Sequence, residues 1–172
     1  MKTVRPHVLI AVSFLIVALS ASSAHAVIRS VHADGLSGDY ATIQAAIDAC
    51  SDGDVVELLD GTFTGAGNRD LDFGGRDIIL RSRSGDPSAC IIDCGGSSGD
   101  PHRAFWFHSE EPLTSAVVGV TIRNGYADIG GAILLEGGSL GNYTQPVIVS
   151  CILENNTATS SGGAVHARGY GG

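Results

Sequence analysis

The chain has 172 residues and a net charge of −8 at pH 7, a balance that argues against a nucleic-acid-binding protein. An acidic polysaccharide is disfavoured for the same reason, unless calcium bridges the charges. The 24 glycines, the single tryptophan and the lack of helical periodicity beyond one stretch are typical of short strands joined by tight turns. We therefore predict an all-β protein without nucleic-acid partners.

The N-terminal segment, residues 1–26, has the features of a secretory signal peptide. Lys2 and Arg5 precede an apolar run at residues 8–19, and residues 24–26 (AHA) form a small-residue cleavage site. A membrane anchor needs roughly 18 or more apolar residues, which is longer than this run. We predict bacterial-type export of residues 27–172, no transmembrane segment after cleavage, and a secreted or outer-membrane-associated location.

Residues 42–63, TIQAAIDACSDGDVVELLDGTF, are interpreted as one short helix followed at once by a strand. Ile43, Ala46, Ile47 and Cys50 fall at i, i+3, i+4 and i+7 and form one apolar stripe. The strand that follows is mostly apolar, which predicts its burial. A helix of this length has no core of its own, so we predict that it caps the open end of a structure made of strands.

The four cysteines of an exported chain allow two disulfides in three connectivities. Cys90 and Cys94 cannot pair with each other if CIIDC is a strand, because four extended residues separate their α-carbons by roughly 13 Å. Bridges to Cys50 or Cys151 and unpaired thiols buried in a core are the two alternatives. Neither a CxxC pair nor a histidine at ligand spacing accompanies them, so we predict no metal site.

Two segments in the last third of the chain repeat each other. Residues 118–124 (VGVTIRN) match residues 149–155 (VSCILEN) at an offset of 31. Residues 130–133 (GGAI) match residues 162–165 (GGAV) at an offset of 32. Each unit is thus a strand, an asparagine turn, a Gly-Gly corner and another strand.

Fainter strands upstream continue the series. They are residues 77–82, 90–94 and 104–108. Phe105 is matched with Gly131, at an offset of 26. Because strands this short cannot bury both faces alone, the units have to stack, which predicts a parallel β-helix in which each coil touches only its neighbours.

Asn124 and Asn155 occupy equivalent positions of the repeat. If the strands alternate strictly, Asn124 shares the inward face of Ile122, and Asn155 shares that of Leu153. A buried amide needs hydrogen-bond partners, and an identical amide one coil away supplies them. We therefore predict that Asn124 and Asn155 form a structural ladder, which explains the repeat without catalysis.

These repeats resemble a known family. The resemblance lies in the strings AFWFHSEEPLTSAVVGVTIRNGYADIGGAI and PVIVSCILENNTATSSGGAV, which look like bacterial right-handed parallel β-helix repeat proteins of the pectin-lyase-like superfamily. Their N-x-A…GGA[IV] pieces are similar to repeats of chlamydial polymorphic outer membrane proteins, and YATIQAAIDACSDGDVVELLDGTFTG is similar to the superfamily's N-terminal capping segment. The resemblance covers most of residues 40–165. Together with the right-handed bias of parallel crossovers, it implies an all-β, right-handed parallel β-helix (solenoid) with a short N-terminal capping helix, in a single domain over residues 27–172.

The resemblance does not extend to catalytic residues. Polysaccharide lyases on this fold use calcium-binding acidic residues with a basic residue, and related hydrolases use clustered aspartates with a histidine; neither pattern matches here. Asp70 and Asp72 share a strand face and approximate a carboxylate pair, although two solvated aspartates near a turn explain them too. His102, His108 and His166 lie in or beside predicted strands and are candidate acids or bases.

Four residues are candidate carbohydrate contacts. Arg81 and Arg83 share a face and could bind acidic sugars, or serve only as surface charges. If the two phenylalanines that flank Trp106 face the core, Trp106 and His108 face outward, where an indole is a platform for a sugar ring, although single exposed aromatic residues are also common on protein surfaces.

The favoured hypothesis is an exported, non-catalytic β-helix scaffold or adhesin-like surface protein that presents one sheet to carbohydrate or to another cell surface. The alternative is a pectate-lyase-like polysaccharide lyase or glycoside hydrolase whose catalytic coils are missing or divergent. An enzyme needs at least two outward carboxylates and a basic residue on one sheet, which distinguishes the two hypotheses. We predict no cofactor, since no calcium-binding loop is recognisable.

The glycine-rich end HARGYGG predicts a β-helix that is truncated at its C-terminal end. The last strand, residues 163–168, has no following coil and no helix to cover it. An uncovered row of backbone donors and acceptors is an edge for pairing. We therefore expect self-association through this edge.

Overall fold

The computed structural model describes residues 25–138 and 143–169, so the predicted signal peptide lies almost entirely outside the described residues. Within these ranges no helix is long and apolar enough to cross a membrane. The elements are β1 (Ile28–Val31), α1 (Ile43–Asp48), β2 (Val55–Leu58), β3 (Gly61–Thr64), β4 (Ile79–Ser82), β5 (Cys90–Asp93), β6 (Phe105–Phe107), β7 (Ala116–Val118), β8 (Thr121–Arg123), β9 (Tyr126–Ile129), β10 (Ile133–Glu136), β11 (Val147–Val149), β12 (Ile152–Glu154), β13 (Thr157–Ser161) and β14 (Val165–Arg168).

The strands stack in parallel into four sheets. Sheet A is β1-β2-β4-β7-β11, sheet B is β3-β5-β8-β12, sheet C is β6-β10-β14 and sheet D is β9-β13. Thr121 pairs with Ile152 and Ile133 with Val165, so the repeat offsets of 31 and 32 are confirmed. The chain is a parallel β-solenoid of about five turns, as the repeat predicts.

The predicted match of Phe105 with Gly131 is wrong. Phe105 pairs with Ile133, two positions further along the chain, and both side chains are fully buried. The register of stacked strands is set by backbone pairing and by inward apolar side chains, whereas corners between strands differ in length from coil to coil. The Gly-Gly corner therefore does not mark the register by itself.

Helix α1 caps the N-terminal end of the core, as predicted. Ile43, Ala46 and Ile47 are fully buried in the same apolar cluster as the inward side chains of the sheets. Gln44 ties the helix to the next coil: its Nε2 donates to the carbonyl of Asp72, and its Oε1 accepts from the Asp72 amide, both at 3.0 Å. The apolar stripe thus covers core side chains that would otherwise face water.

The four thiols are unpaired, which decides between the two alternatives for the cysteines. Cys50, Cys90 and Cys94 are buried, and Cys151 is partly buried. Burial raises the pKa of both Cys90 and Cys94 to about 12, because the thiolate would be desolvated. These residues therefore act as small apolar core side chains.

The last coil is less covered than the one before it. No described strand lies beyond β11, β12, β13 or β14 in its sheet. Val165 is 38% exposed, whereas its partner Ile133 in the preceding coil is fully buried. Self-association through this edge stays a prediction.

The predicted ladder between Asn124 and Asn155 is wrong. Asn155 is exposed, and Asn124 donates from Nδ2 to both carboxylate oxygens of Asp93, one coil earlier, at 3.0 Å. Both asparagines have left-handed backbones, with φ of 57° and 54°. Strict alternation of side chains requires an extended backbone, so it does not continue through these corner residues.

Candidate functional site

A groove of about 590 Å³ lies on the outer face of sheet C. Strands β6, β10 and β14 contribute Trp106, Leu134, Glu136 and Arg168, and the remaining lining comes from Asp70 and from segments 101–103 and 127–129. Because β6, β10 and β14 belong to successive coils, the groove runs along the solenoid axis. Neighbouring strands are spaced by about 4.8 Å, so it extends about 10 Å from β6 to β14.

The alternation of β6 turns Trp106 into this groove. Phe105 and Phe107 are fully buried and Trp106 is 43% exposed, which confirms the outward orientation predicted for the indole. The two phenylalanine rings stack with centroids 5.5 Å apart, and Phe73 packs edge-on against both. A rigid aromatic cluster therefore supports the strand that presents the tryptophan.

The indole is fixed by two neighbours. Its Nε1 donates to Oε2 of Glu136 at 2.5 Å, and its ring stacks on His108 with centroids 4.1 Å apart. Arg168 donates from Nε to Oε1 of Glu136 at 2.6 Å, and its Nη2 donates to the same oxygen. Glu136 is only 6% exposed, and through these hydrogen bonds it links side chains of the coil before it and the coil after it.

His102 lies between two carboxylates at the groove wall. Its Nδ1 is 2.5 Å from Oδ2 of Asp70, and its Nε2 is 3.1 Å from Oδ1 of Asp100. Carboxylate oxygens are acceptors, so both contacts are hydrogen bonds only when the imidazole is protonated. Oδ1 of Asp70 also accepts from the amide of Arg103 at 3.1 Å.

Asp70 and Asp72 have separate partners rather than one shared site. Asp70 has a left-handed backbone, with φ of 55°, and contacts His102 in the groove. Asp72 is outside the groove lining and accepts the amide of Gly74 at 2.7 Å. The left-handed residue breaks the alternation on which the predicted carboxylate pair depends.

Arg103 contributes a positive charge to the groove lining. Its Nη2 is 3.6 Å from Oδ1 of Asp128. Burial lowers the pKa of Arg103, and the Asp128 carboxylate acts against this shift. The lining as a whole contains three carboxylates and two guanidinium groups.

Arg81 and Arg83 lie elsewhere: Arg81 is on β4 of sheet A, and Arg83 directly follows that strand. Nη2 of Arg81 is 2.9 Å from Oε1 of Glu57, and Nε of Arg83 is 2.7 Å from Oε2 of the same carboxylate. Hydrogen bonds from Arg83 and then Arg81 lower the pKa of Glu57, against the effect of burial. The structure therefore does not join Arg81 and Arg83 to Trp106 and His108.

Arg83 also lines a smaller cavity of about 370 Å³, which contains no tryptophan, tyrosine or phenylalanine. His166 lies on β14 but is not part of the larger groove's lining.

Among residues 25–138 and 143–169, no cluster of three or more His, Cys, Asp or Glu side chains is arranged to hold a metal ion.

The groove contains the minimal groups of an acid–base site, but each carboxylate already has a cationic partner or imidazole. Asp70 contacts His102, Asp128 faces Arg103, and Glu136 accepts from Trp106 and Arg168. Glycoside hydrolysis needs one carboxyl group that donates a proton and a second that acts as base or nucleophile. All three carboxylates of the lining therefore have partners within the groove.

No family model matches the chain, and no curated protein or solved structure is significantly similar to it.

Proposed function

We propose that the protein is an exported, non-catalytic β-solenoid that binds carbohydrate in the groove of sheet C. The observation that carries the proposal is the fixed and exposed indole of Trp106. An indole that is held in place stacks on the apolar face of a sugar ring with little loss of side-chain entropy. Polar groups around it then orient the sugar hydroxyls.

The shape of the groove suits a linear glycan. The three strands that line it are stacked along the solenoid axis over about 10 Å, which is the length of a short oligosaccharide segment. Carboxylates of Asp70 and Asp128 accept hydrogen bonds from hydroxyls, and the guanidinium groups of Arg103 and Arg168 donate them. A polymer chain would thus make repeated contacts along successive coils.

The predicted signal peptide would bring this groove outside the cell, either secreted or at the outer membrane. The resemblance to pectin-lyase-like β-helix proteins and to chlamydial outer-membrane repeats supports a surface scaffold of right-handed coils. A polysaccharide lyase or glycoside hydrolase is the second candidate. It is favoured by the presence of Asp70, Asp128 and Glu136 together with His102 in one groove.

Binding of the purified full chain to a panel of hexasaccharides tests the proposal. Replacement of Trp106 by Ala is expected to weaken binding at least tenfold, about 1.4 kcal/mol, because the stacking platform is lost. Leu113→Ala is the matched control, since Leu113 is 67% exposed and lies outside the groove lining. Equal affinities of the two variants would contradict the proposal, and cleavage of a bound oligosaccharide would favour the enzyme.

A further inference from the structure

The charge of the groove distinguishes between classes of glycan. Its lining has three carboxylates against two guanidinium groups, and Asp100 adds a carboxylate at 3.1 Å from His102. The chain as a whole has a net charge of −8. A polyanion would therefore approach against the field of the protein.

Both guanidinium groups of the groove lie next to carboxylates of the chain. Arg168 donates to Glu136, and Arg103 faces Asp128. A sugar carboxylate is normally bound by charge-assisted hydrogen bonds from such groups. At Arg168 it would compete with Glu136, which is 6% exposed and needs the arginine to compensate its charge. At Arg103 it would lie beside the carboxylate of Asp128 and be repelled by it.

The groove instead offers hydrogen-bond acceptors to a ligand. Asp128 is 76% exposed at its side chain and Asp70 is 47% exposed, and carboxylates accept from hydroxyl or ammonium groups. The indole of Trp106 stacks on His108 and is 43% exposed, and its exposed surface can contact a pyranose whatever the charge of the sugar. We infer that the groove selects a linear glycan without carboxylate groups, a neutral or amino-sugar polymer, and rejects uronate polymers; this inference rests on the proposed glycan binding.

Calorimetric titration of the purified full chain tests this selectivity. The probes are hexasaccharides of glucose, mannose, N-acetylglucosamine and glucosamine, compared with hexasaccharides of galacturonate and mannuronate. At low salt we expect at least one of the former to bind at least tenfold more tightly than either uronate. Raising the salt concentration should narrow this difference, because screening weakens the repulsion.

A substitution in the groove lining tests whether local charge causes this selectivity. Asp128→Asn removes an exposed negative charge and leaves Arg103 without its carboxylate, so uronate affinity should rise severalfold. Glu154→Gln, on β12 outside the groove, removes the same charge from the chain and is the matched control. If the charge effect is confined to the groove, the affinity for uronates should rise in Asp128→Asn and stay unchanged in Glu154→Gln.

The failures of the two proposals are distinguishable. Tight uronate binding that Trp106→Ala abolishes would overturn the selectivity and retain the glycan-binding groove. A selectivity that does not respond to salt or to Asp128→Asn would overturn its electrostatic basis. Absence of binding by every hexasaccharide would overturn the proposed function itself.

Discussion

Sheets A and C both present charged side chains on their outer faces, but they use them differently. On sheet A, Arg81 and Arg83 close on Glu57. On sheet C, Glu136 fixes Trp106 beside a wall contributed by segments 101–103 and 127–129. Both sheets therefore carry ion pairs, and the pair on sheet C differs because it lies beside an exposed indole in a groove that neighbouring segments enclose.

The largest expected losses of stability come from substitutions in the core beneath the two sheets. Phe107→Ala should destabilise the protein by about 3–5 kcal/mol, since its ring is fully buried and stacks on Phe105. Leu80→Ala, beneath sheet A, should cost about 2–5 kcal/mol. Urea denaturation measures both losses.

These two variants should differ in binding. Among molecules that remain folded, Phe107→Ala should weaken glycan affinity, because it loosens the strand that carries Trp106, whereas Leu80→Ala should not. Unchanged affinity in both variants would show that the groove does not depend on the aromatic cluster.

A smaller effect is expected from the ion pairs of sheet A. Glu57→Gln should destabilise the protein by about 1–2 kcal/mol, because two guanidinium groups lose their charged acceptor. Glycan affinity should stay unchanged. Glu154→Gln, on the exposed strand β12, should stay within about 0.5 kcal/mol of the wild type. A loss of glycan binding in Glu57→Gln would contradict the conclusion that sheet A takes no part in binding.

The same carboxylate makes stability depend on pH. The pKa of Glu57 is lowered from 4.5 by its arginines, so its contribution is present above the unfolded value and is lost as pH falls through the folded value. Between about pH 6 and pH 3, the wild type should lose more stability than Glu57→Gln. Parallel losses in a pair of denaturation series would contradict this account of sheet A.

The smallest effect is expected from the arginines themselves. Arg81→Gln combined with Arg83→Gln should change glycan affinity less than about twofold, or about 0.4 kcal/mol, because both side chains lie outside the sheet C groove. A tenfold loss, measured by titration, would move the binding face to sheet A.

Much of the fold could be predicted from the sequence, because apolar alternation and repeat spacing record the stacking directly. The pairing of Thr121 with Ile152 follows from the repeat. The pairing of Phe105 with Ile133 does not follow from the repeat, because the corners between strands vary in length from coil to coil. The orientation of Asn155 was also beyond a pattern that assumes extended backbone throughout.

The candidate site was predictable in only one part. The outward position of Trp106 follows from the alternation of β6. The contact of Asp70 with His102 joins residues 32 positions apart, across coils that show no visible repeat. Glu136 and Arg168 do carry a signal that sequence reasoning missed, since opposite charges recur at the repeat offset of 32.

The single tryptophan of the chain provides the most direct test, because intrinsic tryptophan fluorescence reports on the groove alone. The measurement is the emission of Trp106 in the purified full chain while a hexasaccharide that binds by calorimetry is added. We expect the emission to change with the same midpoint as the calorimetric titration, because the sugar ring covers the indole. Binding with no change in emission would place the glycan elsewhere and contradict the assignment of sheet C as the binding face.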